Sequence, residues 1–277
     1  MDIKLIAIDL DGTLLNSRKR LSDQNREALI SCIRKGIHIV PCTGRTVDGI
    51  PAEVKDIPGI RYAITTNGAV VEDMKENVVI DTRLLSCDLA LELLRFVDPY
   101  HVMYDPYIDR RGITEPRFMN HLSEFALTSE LQELVRNTRD VCPNIIEFVE
   151  NSRKPVEKIN LFFGNMEERA KLRAELEKRN DILVTSSIIN NLEINAPDAT
   201  KGDAIMRLSS HLGISPSQTM GIGDGENDFT MILKAGVGVV MKNGSKELIE
   251  AADYVTETND EDGVASAIRK LVLEMEL

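Results

Sequence analysis

The chain has no tryptophan, and aromatic residues make up 4% of its 277 residues, so aliphatic side chains must build most of its core. Its four cysteines, Cys32, Cys42, Cys87 and Cys142, lie far apart and form no C-x-x-C pair. That spacing argues against a metal site or a disulfide framework and for reduced, mostly buried thiols. No stretch approaches the ~20 apolar residues of a membrane span. The start, Met1-Asp2-Ile3-Lys4, lacks the basic flank and apolar run of a signal peptide, and a cytoplasmic protein is expected. Basic residues are outnumbered: 33 Lys and Arg face 45 Asp and Glu, for a net charge of −12. Nucleic acid and anionic membrane surfaces are disfavoured as partners, because both need clustered cations. A phosphorylated metabolite is not excluded, since a few local cations or one metal can reverse the field in a pocket.

What is present fits a soluble α/β protein of two domains. Residues 3–8 read Ile-Lys-Leu-Ile-Ala-Ile, the near-continuous apolar run of a parallel strand buried on both faces. A helix is expected at about 22–35, capped by Ser22 and stopped by Gly36, and a second strand at 37–40. Strand, helix, strand is a βαβ unit and implies a parallel sheet. The far end repeats the logic, with strands at 218–222, 237–240 and 253–255 and helices at 202–212, 228–235, 245–252 and 263–275. Both ends therefore belong to one doubly wound α/β domain, 1–82 with 193–277. The middle, 83–192, is punctuated by Pro99, Pro106, Pro116, Pro143 and Pro155. It reads as an inserted α+β domain with a helix around 166–179 and strand-like segments at 101–104, 145–149, 158–163 and 182–185.

Four segments carry the chemistry. Asp9-Leu10-Asp11-Gly12-Thr13 follows the first strand directly, at the edge where α/β folds place their sites. Cys42-Thr43-Gly44-Arg45 follows the second strand, where a hydroxyl and backbone N–H groups can hold a phosphate oxygen. Thr200-Lys201-Gly202 opens a helix; a lysine opposes the helix dipole there, which makes sense if it faces an anion. Gly223-Asp224-Gly225-Glu226-Asn227-Asp228 adds two more acids and an amide after another strand. Each segment alone has an ordinary reading as a turn, a cap or a solvated charge. Together they bring Asp9, Asp11, Asp224 and Asp228 to one sheet edge against Lys201 and Arg45. Two unit charges about 4 Å apart interact by roughly 4 kcal/mol at an effective dielectric near 20, so one lysine cannot offset several such repulsions plus a phosphate. A hard dication resolves the conflict, and an all-oxygen donor set selects Mg²⁺ over Zn²⁺.

With these residues in view, the sequence resembles the haloacid dehalogenase-like (HAD) superfamily, in its Cof-type sugar-phosphatase branch. Asp9 to Leu14 matches the first motif, Thr43 in Thr-Gly-Arg the second, Lys201-Gly202 the third, and Gly223-Asp224 with Asn227-Asp228 the fourth. Thr66-Asn67-Gly68-Ala69 looks like the Asn-Gly-Ala turn of that branch. The resemblance implies a phosphatase that hydrolyses small phosphorylated metabolites, sugar phosphates foremost, through an aspartyl-phosphate. Asp9 would be the nucleophile and Asp11 the acid and base. Leu10, Thr43, Gly44, Lys201 and Asn227 would bind the phosphoryl group. Mg²⁺ would be held by Asp9, Asp224 and Asp11, the last through its backbone carbonyl, and Asp228 would position Lys201 or a metal-bound water. An acid at Asp11 points to phosphatases and mutases rather than to dehalogenases or ion pumps.

Thr43 and Lys201 stand 158 positions apart, more than completing the sheet requires, which leaves room for the inserted domain. In this branch the insert is a cap lying over the catalytic edge, which limits substrates to small molecules. Arg45, Tyr104 and Asn190, with Tyr107, Arg110 and Arg111, are the candidates for contacting a leaving group, each weighed against an ordinary surface or core role. Two alternatives stay open: a phosphomutase or phosphotransferase, in which a sugar hydroxyl replaces water, and a non-catalytic regulator that binds a phosphometabolite. The oligomeric state is not legible in the sequence.

Overall fold

Strand β1 (Leu5–Ile8) sends its alternate side chains into two separate apolar clusters, Ile6 and Ile8 into one, Leu5 and Ala7 into the other. That double burial is why the segment is apolar throughout. The computed structural model describes residues 2–273. The chain forms two compact units: one comprises the described residues through Thr82 and from Thr200 on, the other Arg83–Ala199.

Up to Thr82 the strands after β1 are β2 (His38–Pro41), β3 (Tyr62–Thr65), β4 (Val70–Asp73) and β5 (Val78–Thr82). The second unit carries β6 (Val102–Ile108), β7 (Arg111–Thr114), β8 (Arg139–Val141), β9 (Lys158–Phe163), β10 (Leu183–Thr185) and β11 (Asn191–Asn195). The returning chain adds β12 (Thr219–Gly223), β13 (Val237–Val240) and β14 (Tyr254–Val255). In the first unit, the described strands form a parallel sheet of order β14-β13-β12-β1-β2. A parallel bridge between Cys42 and Ile64 leads from β2 to the antiparallel meander β3-β4-β5. The helix Asp23–Arg34 covers one face with Ala28, Leu29 and Cys32; the helix Lys201–His211 covers the other with Ala204, Ile205 and Leu208. The first helix starts where Ser22 accepts the Asn25 N–H at 3.1 Å and stops before Gly36, whose φ of +78° suits glycine. This is the doubly wound α/β architecture read from the sequence. The last two residues of the helix expected over 263–275 lie outside the described residues.

The second unit is a sheet of order β10-β11-β9-β6-β7-β8, antiparallel except for β7 with β8. One face is apolar, with Tyr104, Leu161, Phe163, Leu192 and Ile194 all buried, and the helix Met166–Leu176 packs on β9 and β11. The expected boundary at 193 falls inside β11, whose antiparallel bonds to β9 carry this unit on to Ala199. The strand expected at 145–149 is instead the helix Ile145–Ser152. Asn144 caps it by accepting the Glu147 N–H at 2.9 Å, and Ile145 and Val149 are buried at a spacing of four. A short apolar run is ambiguous between the two periods, and the cap decides it.

Among the described residues no helix is long and apolar enough to cross a membrane.

Candidate active site

Register aligns the strand ends. Ile8 pairs with Pro41 on one side and Ile222 on the other, so Asp9, Thr43 and Asp224 emerge side by side at the carboxyl edge of the parallel sheet. The Asp9 N–H continues the ladder to the Ile222 carbonyl at 2.9 Å, and the Thr43 N–H bonds to the Ile64 carbonyl at 2.9 Å. Lys201 is the first residue of its helix, after Thr200, whose hydroxyl accepts the Asp203 N–H at 3.0 Å. Gly202 lets this helix approach closely: a Cβ there would stand 2.2 Å from the Thr230 carbonyl oxygen.

The Lys201 ammonium is fully buried and donates to Asp9 Oδ1 and to Asp228 Oδ1, each at 2.6 Å. The other oxygen of Asp228 accepts the N–H groups of Asp224 (3.0 Å) and Gly225 (2.9 Å), which fixes the carboxylate between loop and lysine. Asp224 accepts the Thr13 hydroxyl at 2.6 Å. One oxygen each from Asp9, Asp224 and Asp228 lies within 4.8 Å of the others. Gly12 is required beside them: its φ is +87°, and a Cβ would stand 2.3 Å from Asp224 Oδ2. Asp228 thus joins the carboxylate cluster as well as touching Lys201.

The electrostatics follow from one ammonium among three carboxylates. Burial pushes the Asp9 carboxyl well above its ordinary range; Lys201 opposes the shift, and Asp228 and Asp224 add to it. Burial, then the neighbouring Asp228 charge, raises Asp224 to about 7. Burial disfavours the charged Lys201, but Asp228 and Asp9 outweigh it and hold the ammonium protonated.

Asp11 stands apart from this cluster. Its carboxylate is clamped by Arg45, with Nε to Oδ2 and Nη2 to Oδ1 both at 2.7 Å, and by Lys19 Nζ at 2.8 Å. Burial alone would raise its pKa, but the Arg45 and Lys19 bonds and charges bring it down to about 2. The Asp11 side chain is therefore no member of the three-carboxylate group.

Other expected residues gather nearby. The Thr43 hydroxyl accepts the Arg45 N–H at 3.2 Å, and the Thr43 carbonyl accepts the Asn67 N–H at 3.0 Å. Asn227 donates to Asn67 Oδ1 at 3.0 Å. Leu10 and Gly44 follow Asp9 and Thr43 directly in the chain, Leu10 buried and Gly44 half-buried. Three residues expected to contact a leaving group have partners within the chain. Tyr104 is 1% exposed, and its hydroxyl is engaged by Asp98 and Arg117, each at 2.7 Å. Asn190 is buried and donates to the Phe125 carbonyl at 2.9 Å, bracing a loop. Arg45 is committed to Asp11 and to the Gly49 carbonyl at 2.8 Å. Of the remaining candidates, Arg111 pairs with Asp140 at 2.8 Å. Sequence reasoning assigned no role to Thr13, Lys19 or Asn67. Asn67, with φ of +62°, lies in the turn expected at 66–69, whereas the turn at Lys19, with φ of +59°, is one that a pattern of apolar residues does not reveal.

The site thus sets three acids and a helix-borne lysine at the carboxyl edge of a doubly wound α/β sheet. The family model for haloacid dehalogenase-like hydrolases matches residues 6–268. The chain belongs to that family and is a phosphatase within it. It is 33% identical over 274 residues to a 5-amino-6-(5-phospho-D-ribitylamino)uracil phosphatase of Bacillus subtilis, covering 99% of this chain and 97% of the relative. Another Bacillus subtilis phosphatase is 31% identical over 288 residues, covering 98% of this chain and 100% of its own length. The solved structure of a haloacid dehalogenase-like hydrolase from B. subtilis superposes with a TM-score of 0.86 at 29% identity, covering 98% of this chain and 100% of that one.

Proposed function

We propose that this chain hydrolyses phosphomonoesters of small metabolites, sugar phosphates foremost, with Mg²⁺ and through an aspartyl-phosphate on Asp9. One observation carries the reading: three carboxylates, Asp9, Asp224 and Asp228, share a buried site with the single ammonium of Lys201. An all-oxygen, net-negative donor set fits a hard dication. Asp9 and Asp224 would hold Mg²⁺, with the Asp11 carbonyl, and Asp228 in support. When bound, the ion neutralises charge on the transferring phosphoryl group.

The chain's own residues divide the remaining work. A carboxylate oxygen of Asp9 bonds to phosphorus as the bond from phosphorus to the ester oxygen breaks. Asp11, deprotonated in its Arg45 and Lys19 clamp, takes up a proton from solvent on release from that clamp and gives it to the departing oxygen, then takes one from the water that attacks phosphorus, releasing inorganic phosphate and restoring Asp9. The arginine-clamped state is the proton-accepting form that the second step needs. Lys201, the Thr43 hydroxyl, the N–H groups of Leu10 and Gly44, and Asn227 spread the phosphoryl charge. Asp228 holds Lys201 in place.

The test is a panel of phosphomonoesters that includes the compound named for the first relative. It is assayed with Mg²⁺, with chelator, and with Asp9→Ala. Phosphate release is expected in the first condition only. Full turnover by Asp9→Ala would refute the nucleophile, and isomer formation in place of phosphate release would make the enzyme a mutase.

A further inference from the structure

The turn Thr66-Asn67-Gly68-Ala69 takes no part in the steps assigned to Asp9 and Asp11, yet it lies against three segments that carry phosphoryl-binding residues. It joins β3 to β4. The Thr66 N–H donates to the Arg45 carbonyl at 2.9 Å, and the Asn67 N–H to the Thr43 carbonyl at 3.0 Å. Gly68 packs so closely on the Thr200 carbonyl, next to Lys201, that no Cβ fits between them. Its own carbonyl accepts Arg207 Nη2, from the helix that Lys201 opens, at 2.7 Å. Asn67 Oδ1 accepts Asn227 Nδ2 at 3.0 Å, across 160 positions of chain.

Backbone shape alone does not call for asparagine at 67. Its φ of +62° lies in the left-handed region, which glycine enters at no steric cost, and the next residue is a glycine. What asparagine adds is an acceptor oxygen, on a residue only 2% exposed. Asn227 stands on the short turn Glu226–Asp228 and is half-buried. Its amide nitrogen carries two N–H groups. The bond to Asn67 uses one and fixes the carboxamide plane, so the other keeps one direction. Because Asn67 is itself bonded to the Thr43 carbonyl, that direction is set relative to Thr43. A donor aimed in advance needs no reorganisation when charge develops on the phosphoryl group.

We propose that Asn67 is a positioning residue for phosphoryl transfer, holding the Asn227 carboxamide in register with the Thr43 hydroxyl. The inference rests on Asn227 being a phosphoryl-binding residue. Asn67 itself touches no reacting atom; it acts through Asn227.

A double-mutant cycle on Asn67→Gly and Asn227→Ala in the full-length protein tests this. Three quantities are read: kcat and KM for the best substrate of the phosphomonoester panel, the calorimetric Kd of orthovanadate in Mg²⁺ buffer, and the melting temperature. Orthovanadate takes the five-coordinate shape of a phosphoryl group in transfer, so it reads the site without turnover. Asn67→Gly deletes the carboxamide and keeps the turn. It should lower kcat and weaken orthovanadate about tenfold, with KM changed less than about threefold and the melting temperature held. A merely structural role would move the melting temperature instead. In the Asn227→Ala background, Asn67→Gly should cost nothing further. Asn67→Ala, which removes the same carboxamide, repeats the cycle if Asn67→Gly fails to fold. Unchanged kcat and orthovanadate affinity in Asn67→Gly, while Asn227→Ala loses both, overturns the proposal alone. A loss that persists in the Asn227→Ala background also overturns it. Full activity and affinity in Asn227→Ala, or no orthovanadate binding by the unmodified protein, overturns the phosphoryl-binding reading and the proposal with it.

Discussion

Both units bury charged side chains, but they balance them differently. At the carboxyl edge of the parallel sheet, Asp9, Asp224 and Asp228 surround one ammonium, Lys201. On the sheet of the second unit, Arg139 meets Asp105 and Lys158 meets Glu193, one cation to one anion. A buried surplus of one sign is tolerated only if a counterion arrives or protons are taken up, and the raised Asp9 and Asp224 carboxyls show the second response. A balanced set needs neither. Only the first unit's surplus therefore calls for a counterion or for protons.

Asp224→Asn tests the surplus most severely. If Asp224 is a ligand of the proposed charge-neutralising ion, turnover with Mg²⁺ should fall by about a thousandfold. The same variant should reshape the pH dependence of metal-free stability. Asp224 keeps its proton up to about 7 in the folded chain, against an ordinary 3.8, so its stabilising contribution is full below about 4 and is lost as pH rises through 7. Asp11, lowered to about 2, acts oppositely and in another window: its contribution is lost only as pH falls from 3.8 toward 2. Thermal melts of metal-free protein from pH 4 to 8 should slope downward, and less steeply in Asp224→Asn. Equal slopes would remove Asp224 from the explanation.

Lys158→Met tests the balanced set. It removes the Lys158 cation from beside the buried Glu193 and should cost about 3–5 kcal/mol in urea unfolding. The double change Lys158→Met with Glu193→Leu should recover most of that loss. If the double variant is as unstable as the single one, balance is not what holds these charges. The smallest effect is expected of Asn144→Ala, which removes the cap of the helix Ile145–Ser152 and should cost about 1 kcal/mol by the same measurement. No loss would leave that helix without its explanation.

Much of the first unit was legible because its strands are buried on both faces and its motifs follow them directly. Residues 3–8 read as a strand, and Asp9 stands at its end. The second unit was less legible. Its β6 runs Val102–Ile108, longer than the segment 101–104 suggested, because Asp105 and Pro106 interrupt the apolar run. Ile145 and Ile146 suggested a strand until the Asn144 cap set a helical period. The polar groups of Tyr104 and Asn190 are visible in the sequence, whereas their partners, Asp98, Arg117 and the Phe125 carbonyl, are not.

By itself, the sequence determined the parallel sheet and the order of the four motifs, since burial periodicity and strand-end position are local properties. Only the tertiary structure decided which acids meet. Asp11 turns to Arg45 and Lys19, Asp228 turns to Lys201 and the 224–225 backbone, and Asn227 turns to Asn67. These partnerships depend on strand register and on helix placement, as in the pairing of Asp11 with Arg45 across 34 positions. Register is set by the packing of the whole unit, which no short window of residues contains.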